Sequence, residues 1–441
     1  MKKRISIVKF LIGGAIALVA LGGAAYALEK TGVVNLAALL ESEKTKVSDK
    51  WQDFTAEVYD IIKENYFEKA TDEALSNLFR LAAEKTAGKP VAMSPLDKNG
   101  VEKMISEQIS GMAEDKKKEF VLNTAIVVLY NLQPAGRNGI LSQKQEKEMR
   151  DIVNNIDRSR DLYELVGIPK NANKETIEKK YNEKVAELLK VTSTETAKIL
   201  EQVRYAYNVL SDENNKKTYD DIGAEPTVFT KEISPTVYYV YLSKVSPTSY
   251  DELVAKLNQL EKKEYDSLVF DLRGNIGGSV DLLQYFMGLF IGQGQYAYDF
   301  FHQGDYKPFK TLVTKHPQIG RFKNIAILTD KETQSSAELM VAIFKRYNVG
   351  TVIGIATRGW GTIENTFPIK TQLVSDEKYT LLLVHSITLR DDNQPIEGRG
   401  VEPNISTEDK DWKNQVDEKF GISSPIAKAI KSSLAKSPAK N

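Results

Sequence analysis

The chain has 441 residues, which at roughly 150 per domain points to about three domains. A composition of 41% hydrophobic and 9% aromatic residues excludes a disordered chain, and the balance of 60 basic against 60 acidic residues argues against a nucleic-acid binder. There is no cysteine, so disulfides, thiolate zinc sites, iron–sulfur clusters and a cysteine nucleophile are excluded. The three histidines (His302, His316 and His385) are scattered without HExxH spacing, so neither a metal nor a cofactor is expected.

The N-terminus reads MKKRISIVK and continues through an uncharged apolar stretch, residues 10–28. Basic residues ahead of an apolar run are the layout of an export signal, because the positive end stays cytoplasmic. Ala25-Tyr26-Ala27 offers a small-x-small cleavage site, while the length also suffices for an uncleaved membrane anchor. Residues 1–28 therefore read as signal peptide or anchor. The rest of the chain is expected to be extracytoplasmic, with any membrane association made through this segment.

Residues 45–155 have helical periodicity. Phe54, Val58, Ile61 and Ile62 recur on one face, and Leu75, Leu78 and Leu81 follow. A break at Gly88-Lys89-Pro90 precedes a second helical stretch, 101–132, which Gln133-Pro134-Ala135-Gly136 ends. This is a helical domain without evident chemistry.

Residues 161–222 run DLYELVGIPKNANKETIEKKYNEKVAELL and then ILEQVRYAYNVLSDENNKKTYDDIG. Leu162, Leu165, Ile177, Tyr181, Val185, Leu188, Ile199, Val203, Tyr207 and Leu210 can close one core between antiparallel helices. The segment resembles a J domain of the DnaJ type. In that family the loop between the long helices carries His-Pro-Asp and stimulates a chaperone ATPase. Here the loop reads Leu189-Lys190-Val191, so the resemblance implies a degenerate J-like module that serves structure or protein binding.

From 228 to 408 strands alternate with helices. TVYYVYLSKV, SLVFDLRG, NIAILTD, VGTVIGIATRG and YTLLLVHSITL carry the strand signal, with SYDELVAKLNQLEKKE and SSAELMVAIFKRYN as helices, which implies a layered α/β core. The last stretch, 421–441, holds four lysines and no acid, and reads as a short amphipathic helix or a solvated tail.

Three elements of this core stand out. Asp271-Leu272-Arg273-Gly274-Asn275-Ile276-Gly277-Gly278 follows a buried strand, and its glycines allow a sharp turn that points N–H groups outward. Thr333-Gln334-Ser335-Ser336-Ala337-Glu338 joins a strand to a helix, where a serine sits at the positive end of the dipole. GIATRGWGT (354–362) is a strand end followed by a Gly-rich loop. Read alone, a serine at such a junction is an N-cap and a glycine-rich turn is a turn.

In order and spacing, DLRGNIGG, TQSSAE, GTI and GRGVEPNI closely resemble the C-terminal processing (tail-specific) serine peptidases. The resemblance implies a ClpP/crotonase-like core and a Ser–Lys dyad that cuts protein or peptide substrates. Ser335 would be the nucleophile, with the N–H groups of Ser336 and of Gly277 or Gly278 as oxyanion hole. The whole is then an α+β multidomain protein: a helical N-terminal domain, a J-like helical module and the peptidase core.

Two departures matter. The family's general-base lysine lies 25 residues after the serine, and Trp360 stands there. An indole cannot accept the serine proton, and Arg358 stays protonated. Lys370 and His385, on neighbouring expected strands, are the alternative bases. The peptide-binding PDZ domain usual in the family is also missing, and the J-like module takes its place. The function implied is an extracytoplasmic serine-type peptidase acting through Ser335; the alternative is a pseudoprotease, a peptide-binding scaffold lacking its base. Export has a direct check: N-terminal sequencing and fractionation of the native protein should find it membrane-bound or beginning near Leu28, not soluble in the cytoplasm with Met1 intact.

Overall fold

The computed structural model describes residues 49–191, 193–261 and 263–438. The signal or anchor stretch 1–28 and the last three residues of the Lys-rich tail lie outside them. Four helices open the described chain: α1 (Lys50–Asn65), α2 (Asp72–Ala87), α3 (Lys98–Ile109) and α4 (Glu114–Asn131). Asp49 caps α1 by accepting from the Trp51 N–H, and the helix buries Trp51, Phe54, Val58, Tyr59 and Ile62. Where the sequence suggests one helix over 101–132, the chain makes two. Gly111, at φ 75°, turns the backbone between them.

After α4 come β1 (Gly139–Ser142) and α5 (Gln143–Val153). β1 pairs antiparallel with the much later β10 (Tyr379–Ile387). The helical unit is therefore not closed on itself. Its hydrophobic cluster takes in Ile369, Leu373, Leu381, Leu383 and Val384 from the β10 region.

The J-like module has α6 (Leu162–Val166), α7 (Lys174–Leu188), α8 (Thr194–Ser211) and α9 (Glu213–Ile222). Its core gathers Leu162, Tyr163, Val166, Ile177, Tyr205, Ala206, Val209 and Leu210. Val185, Leu188 and Ile199, expected in that core, are only half-buried, because packing concentrates at the base of the helix pair. At the tip Leu189 and Val191 are exposed. Phe229 of the following strand packs into the module, and the Arg160 and Tyr205 side chains both donate to Glu225, which seats the module on the core.

In the core, β2 (Val228–Ser234), β3 (Val237–Leu242) and β4 (Ser267–Asp271) are followed by the hairpin β5 (Tyr296–His302) and β6 (Asp305–Lys310). Then come β7 (Asn324–Thr329), β8 (Thr351–Gly354), β9 (Thr362–Pro368), β10 and β11 (Ile405–Ser406). One sheet has the order β11-β8-β7-β4-β3-β2, parallel except for β2. Every residue of β3, β4 and β8 is buried, as a parallel sheet covered on both faces requires. α10 (Ser249–Asn258), α11 (Leu283–Ile291), α12 (Pro317–Arg321) and α13 (Ser336–Arg346) supply residues to one face. α14 (Trp412–Phe420) and α15 (Pro425–Leu434) cover the other. The Lys-rich stretch thus holds an amphipathic helix, Pro425–Leu434, with Ile426, Ala427, Ala429 and Ile430 packed on the sheet.

The second sheet runs β1-β10-β5-β6, with β9 on the other side of β10. The β5–β6 turn has φ 50° at Gln303 and 100° at Gly304, the paired positive values that a tight hairpin needs. β5 joins β10 at the single pair Phe301–Ile387, and beside it His302 and His385 stack face to face, 4.2 Å between centroids. Burial, with His302 and Lys307 nearby, pushes the His385 pKa below its ordinary 6.5. A depressed base favours the neutral form, so this stabilisation is present above the unfolded-state pKa and fades as pH falls through the folded value. Thermal unfolding should therefore show a Tm that drops as pH is lowered from about 7 to 5, with a shallower drop in His385→Phe.

Candidate active site

The carboxyl ends of β4, β7 and β8 lie side by side, and ligands of open α/β sheets bind at such ends. The loop after β4 is fixed by Asn275, wholly buried, whose Nδ2 donates to Leu242 O at 2.9 Å. Gly274 N–H donates to Asp330 Oδ1 at 2.9 Å, and Thr333 Oγ1 donates to Leu272 O at 2.9 Å. These bonds tie the β4 loop to the β7 loop.

Ser335 ends the β7 loop and starts α13 with φ 56° and ψ −128°. A non-glycine residue held there stores roughly 1–3 kcal/mol of strain, so the surroundings must impose it. A Cβ on Gly277 would lie 2.7 Å from Ser335 Cβ, and one on Gly278 would lie 2.1 Å from Val245 O. Glycine is required at both positions by this approach as well as by their φ of 83° and 140°.

The three expected oxyanion donors separate on inspection. The Gly277 N–H is taken, donating to Asn275 Oδ1 at 2.8 Å. Gly277 therefore serves by letting the loop touch Ser335, a correction to its reading as a donor. Gly278 N–H and Ser336 N–H enter no backbone hydrogen bond among the described residues. Ser336 is buried at the first turn of α13, and its Oγ has no partner.

Glu338 organises the rest. It is wholly buried, and its carboxylate accepts four hydrogen bonds. Ser335 N–H (2.9 Å) and Trp360 N–H (2.7 Å) reach Oε2; Gly359 N–H (2.7 Å) and Thr357 Oγ1 (2.5 Å) reach Oε1. Burial raises its pKa while these donors pull it back, which leaves it above the usual carboxylate value. One oxygen thus joins the backbones of Ser335 and Trp360, placing position 360 beside the serine.

The Trp360 Nε1–H donates to Glu364 Oε1 at 3.0 Å, and Thr362 Oγ1 donates to the same oxygen at 2.5 Å. Burial raises the Glu364 pKa. The Arg137 guanidinium lies over the indole, 3.5 Å from the ring centroid. Its Nη2 donates to Glu397 Oε1 at 2.8 Å, and Glu397 Oε2 accepts from Gly361 N–H at 2.8 Å.

The alternative bases are not brought in. Lys370 is exposed, its N–H bound to Glu57 of α1 at 2.7 Å. His385 is stacked on His302 and bonded to Ser386 Oγ at 2.8 Å. Arg358 is exposed and pairs with Glu332 at 3.1 Å. No lysine or histidine is hydrogen-bonded to Ser335 Oγ among the described residues, and no cluster there could hold a metal ion.

Sequence reading missed Glu338, Asn275, Glu364, Glu397 and Arg137. Glu338 had a signal, since Ser335-Ser336-Ala337-Glu338 has capping-box spacing. Arg137 had none, because its partner Glu397 is 260 positions away.

A strained serine at a strand-to-helix turn, with two N–H groups beside it that have no partner among the described residues, has the layout that serine hydrolases use. Comparison with known proteins assigns it further: residues 236–407 match peptidase family S41, and residues 161–220 match the DnaJ domain. The core is thus similar to that of the C-terminal processing peptidases, and the segment before it is similar to a J domain. The chain is 29% identical over 191 residues to the carboxy-terminal processing protease CtpB of Bacillus subtilis (strain 168), covering 42% of this chain and 38% of that protein. It is 27% identical over 187 residues to CtpA of the same organism, with the same coverage. The match therefore spans well under half the length of these relatives. The photosystem II D1 C-terminal processing protease aligns in structure over 81% of this chain and 93% of its own, at 11% identity and TM-score 0.48.

Glu338→Gln tests the hub. An amide nitrogen would face two N–H donors, leaving buried groups unpaired at a cost of about 1–3 kcal/mol. Denaturant unfolding should show that loss, while Glu332→Gln, exposed on the surface, should change stability by less than about 0.5 kcal/mol.

Proposed function

We propose that this protein works outside the cytoplasm and holds unstructured polypeptide in the Ser335 cleft as a catalytically impaired member of its family. The observation that carries the reading is Trp360. It occupies the loop next to Ser335, has its N–H engaged by Glu364, and has no atom able to take the serine proton. The groups that would receive a substrate carbonyl remain free. Gly278 N–H and Ser336 N–H can donate to a developing oxyanion, and the positive end of α13 adds to the field there. Without a base Ser335 stays a hydroxyl, a poor nucleophile, so the carbonyl would be bound and polarised but attacked slowly.

A second reading, hydrolysis through an acyl-enzyme on Ser335, is favoured by the strained Ser335 backbone, which a pure binding site does not need. The N-terminal apolar stretch supports export. Among the described residues no helix is long and apolar enough to cross a membrane. The J-like module, with Leu189-Lys190-Val191 at its tip, is read as a protein-binding or spacing element without chaperone-stimulating activity.

Substitution at 360 separates the two readings. The wild-type protein should cleave an unfolded casein little or not at all. In Trp360→Lys, burial and the adjacent Arg137 should lower the lysine pKa, and general-base assistance of about 10²–10⁴-fold becomes available. The gain should vanish in Trp360→Lys/Ser335→Ala, with circular dichroism verifying the fold of each variant. Robust wild-type cleavage abolished by Ser335→Ala would favour the acyl-enzyme reading instead.

A further inference from the structure

Arg137 belongs to the turn between α4 and β1, in the N-terminal helical unit, yet its side chain ends inside the peptidase core. That turn is rigidly held. The neighbouring Asn138 is buried, its Nδ2 donating to Leu132 O and its Oδ1 accepting from Val384 N–H at 2.7 Å. From this base the guanidinium lies over the Trp360 ring, 3.5 Å from its centroid, and pairs with Glu397, both members of the pair being about 15% exposed. Glu397 also accepts the Gly361 N–H. Residue 360 is thus gripped twice: its ring by the guanidinium, and the following peptide by the carboxylate that the same guanidinium orients. The remaining nitrogen, Nη1, is buried and without a partner. A buried donor left unpaired is unfavourable, so this placement is upheld by the stack and the ion pair against a penalty.

We propose that Arg137 is a positioning residue for the Ser335 cleft, through which the N-terminal helical unit sets the 357–361 loop. The inference rests on the reading of that cleft as the polypeptide site. The path is short. Arg137 holds Trp360 and, through Glu397, Gly361; the Gly359 and Trp360 N–H groups hold Glu338; and Glu338 holds the Ser335 N–H. Removing the guanidinium loosens the loop and, with it, the strained turn that presents Ser335. A partner or ligand that shifts the helical unit would act on the cleft by the same route.

Amide hydrogen exchange on the full-length protein tests this, because the Gly359 and Trp360 amides are held by the Glu338 carboxylate. A stacked cation of this kind shifts a local equilibrium by about 2- to 30-fold. Arg137→Ala should accelerate exchange at Gly359 and Trp360 by that factor, with the amides of α10 and α11 unchanged. Arg137→Lys keeps a charge opposite Glu397 without a planar face, and should accelerate the same amides by a smaller factor. Unchanged exchange at Gly359 and Trp360 in folded Arg137→Ala would overturn the proposal. So would uniform acceleration that includes α10 and α11, which marks a merely structural role. Should Arg137→Ala not fold, Arg137→Lys decides: exchange equal to wild type would overturn the stack. The readout involves no chemistry at Ser335, so a failure here and a failure of the cleft's proposed function are separate results.

Discussion

The site depends on one buried carboxylate. Glu338 lies a turn into α13, and its two oxygens collect N–H and O–H donors from the start of its own helix and from the loop after β8. Each donor would otherwise be a buried unpaired group, and the carboxylate would be a buried unpaired charge; together they satisfy one another. The Ser335 N–H is held on Oε2 while the residue keeps its positive φ. Gly277 must then be glycine, because the serine Cβ occupies the space its own would need.

Around that carboxylate the parallel sheet does what such sheets do. β4, β7 and β8 run in register and release their chains at one end, so that three loops distant in sequence meet. Asp330 and Thr333 bind the first two loops together, Asn275 ties the first to Leu242 at the end of β3, and Thr357, which also accepts from the Val401 N–H at 2.7 Å, binds the third to the 396–401 turn. The helical unit at the N-terminus completes the arrangement, because β1 adds to the sheet of β10 and carries Arg137 to the indole. The helical unit and the core therefore share one construction.

The J domain presents a different case. Its base is well packed and ion-paired to Glu225, while its far end exposes Leu189 and Val191. Stability resides where the module meets β2, through Phe229 and Tyr205, whose rings lie 6.2 Å apart. That tip reads Leu189-Lys190-Val191, and the helix pair beneath it is intact.

Much of this was legible in the sequence, for physical reasons that differ by element. The parallel strands announced themselves because burial on both faces demands unbroken apolar, β-branched runs such as SLVFD and NIAILT. Ser335 and its glycines were legible because a strained turn and a close backbone approach restrict residue type locally. The hairpin β5–β6, the break at Gly111 and the sharing of one core between α1–α4 and β10 were not, since each is set by what packs against it. The sequence by itself determined the parallel strands, most of the helices, a serine at the strand-to-helix turn and a tryptophan at 360. Only the tertiary structure decided that Gly277 spends its N–H on Asn275, that Lys370 is exposed with its backbone N–H on Glu57, that His385 stacks on His302, and that Arg137 stands over Trp360. The Gly277–Asn275 bond spans two positions within one turn; the others rest on contacts between residues tens to hundreds of positions apart, which chain periodicity does not encode and the closing of sheet and loops does.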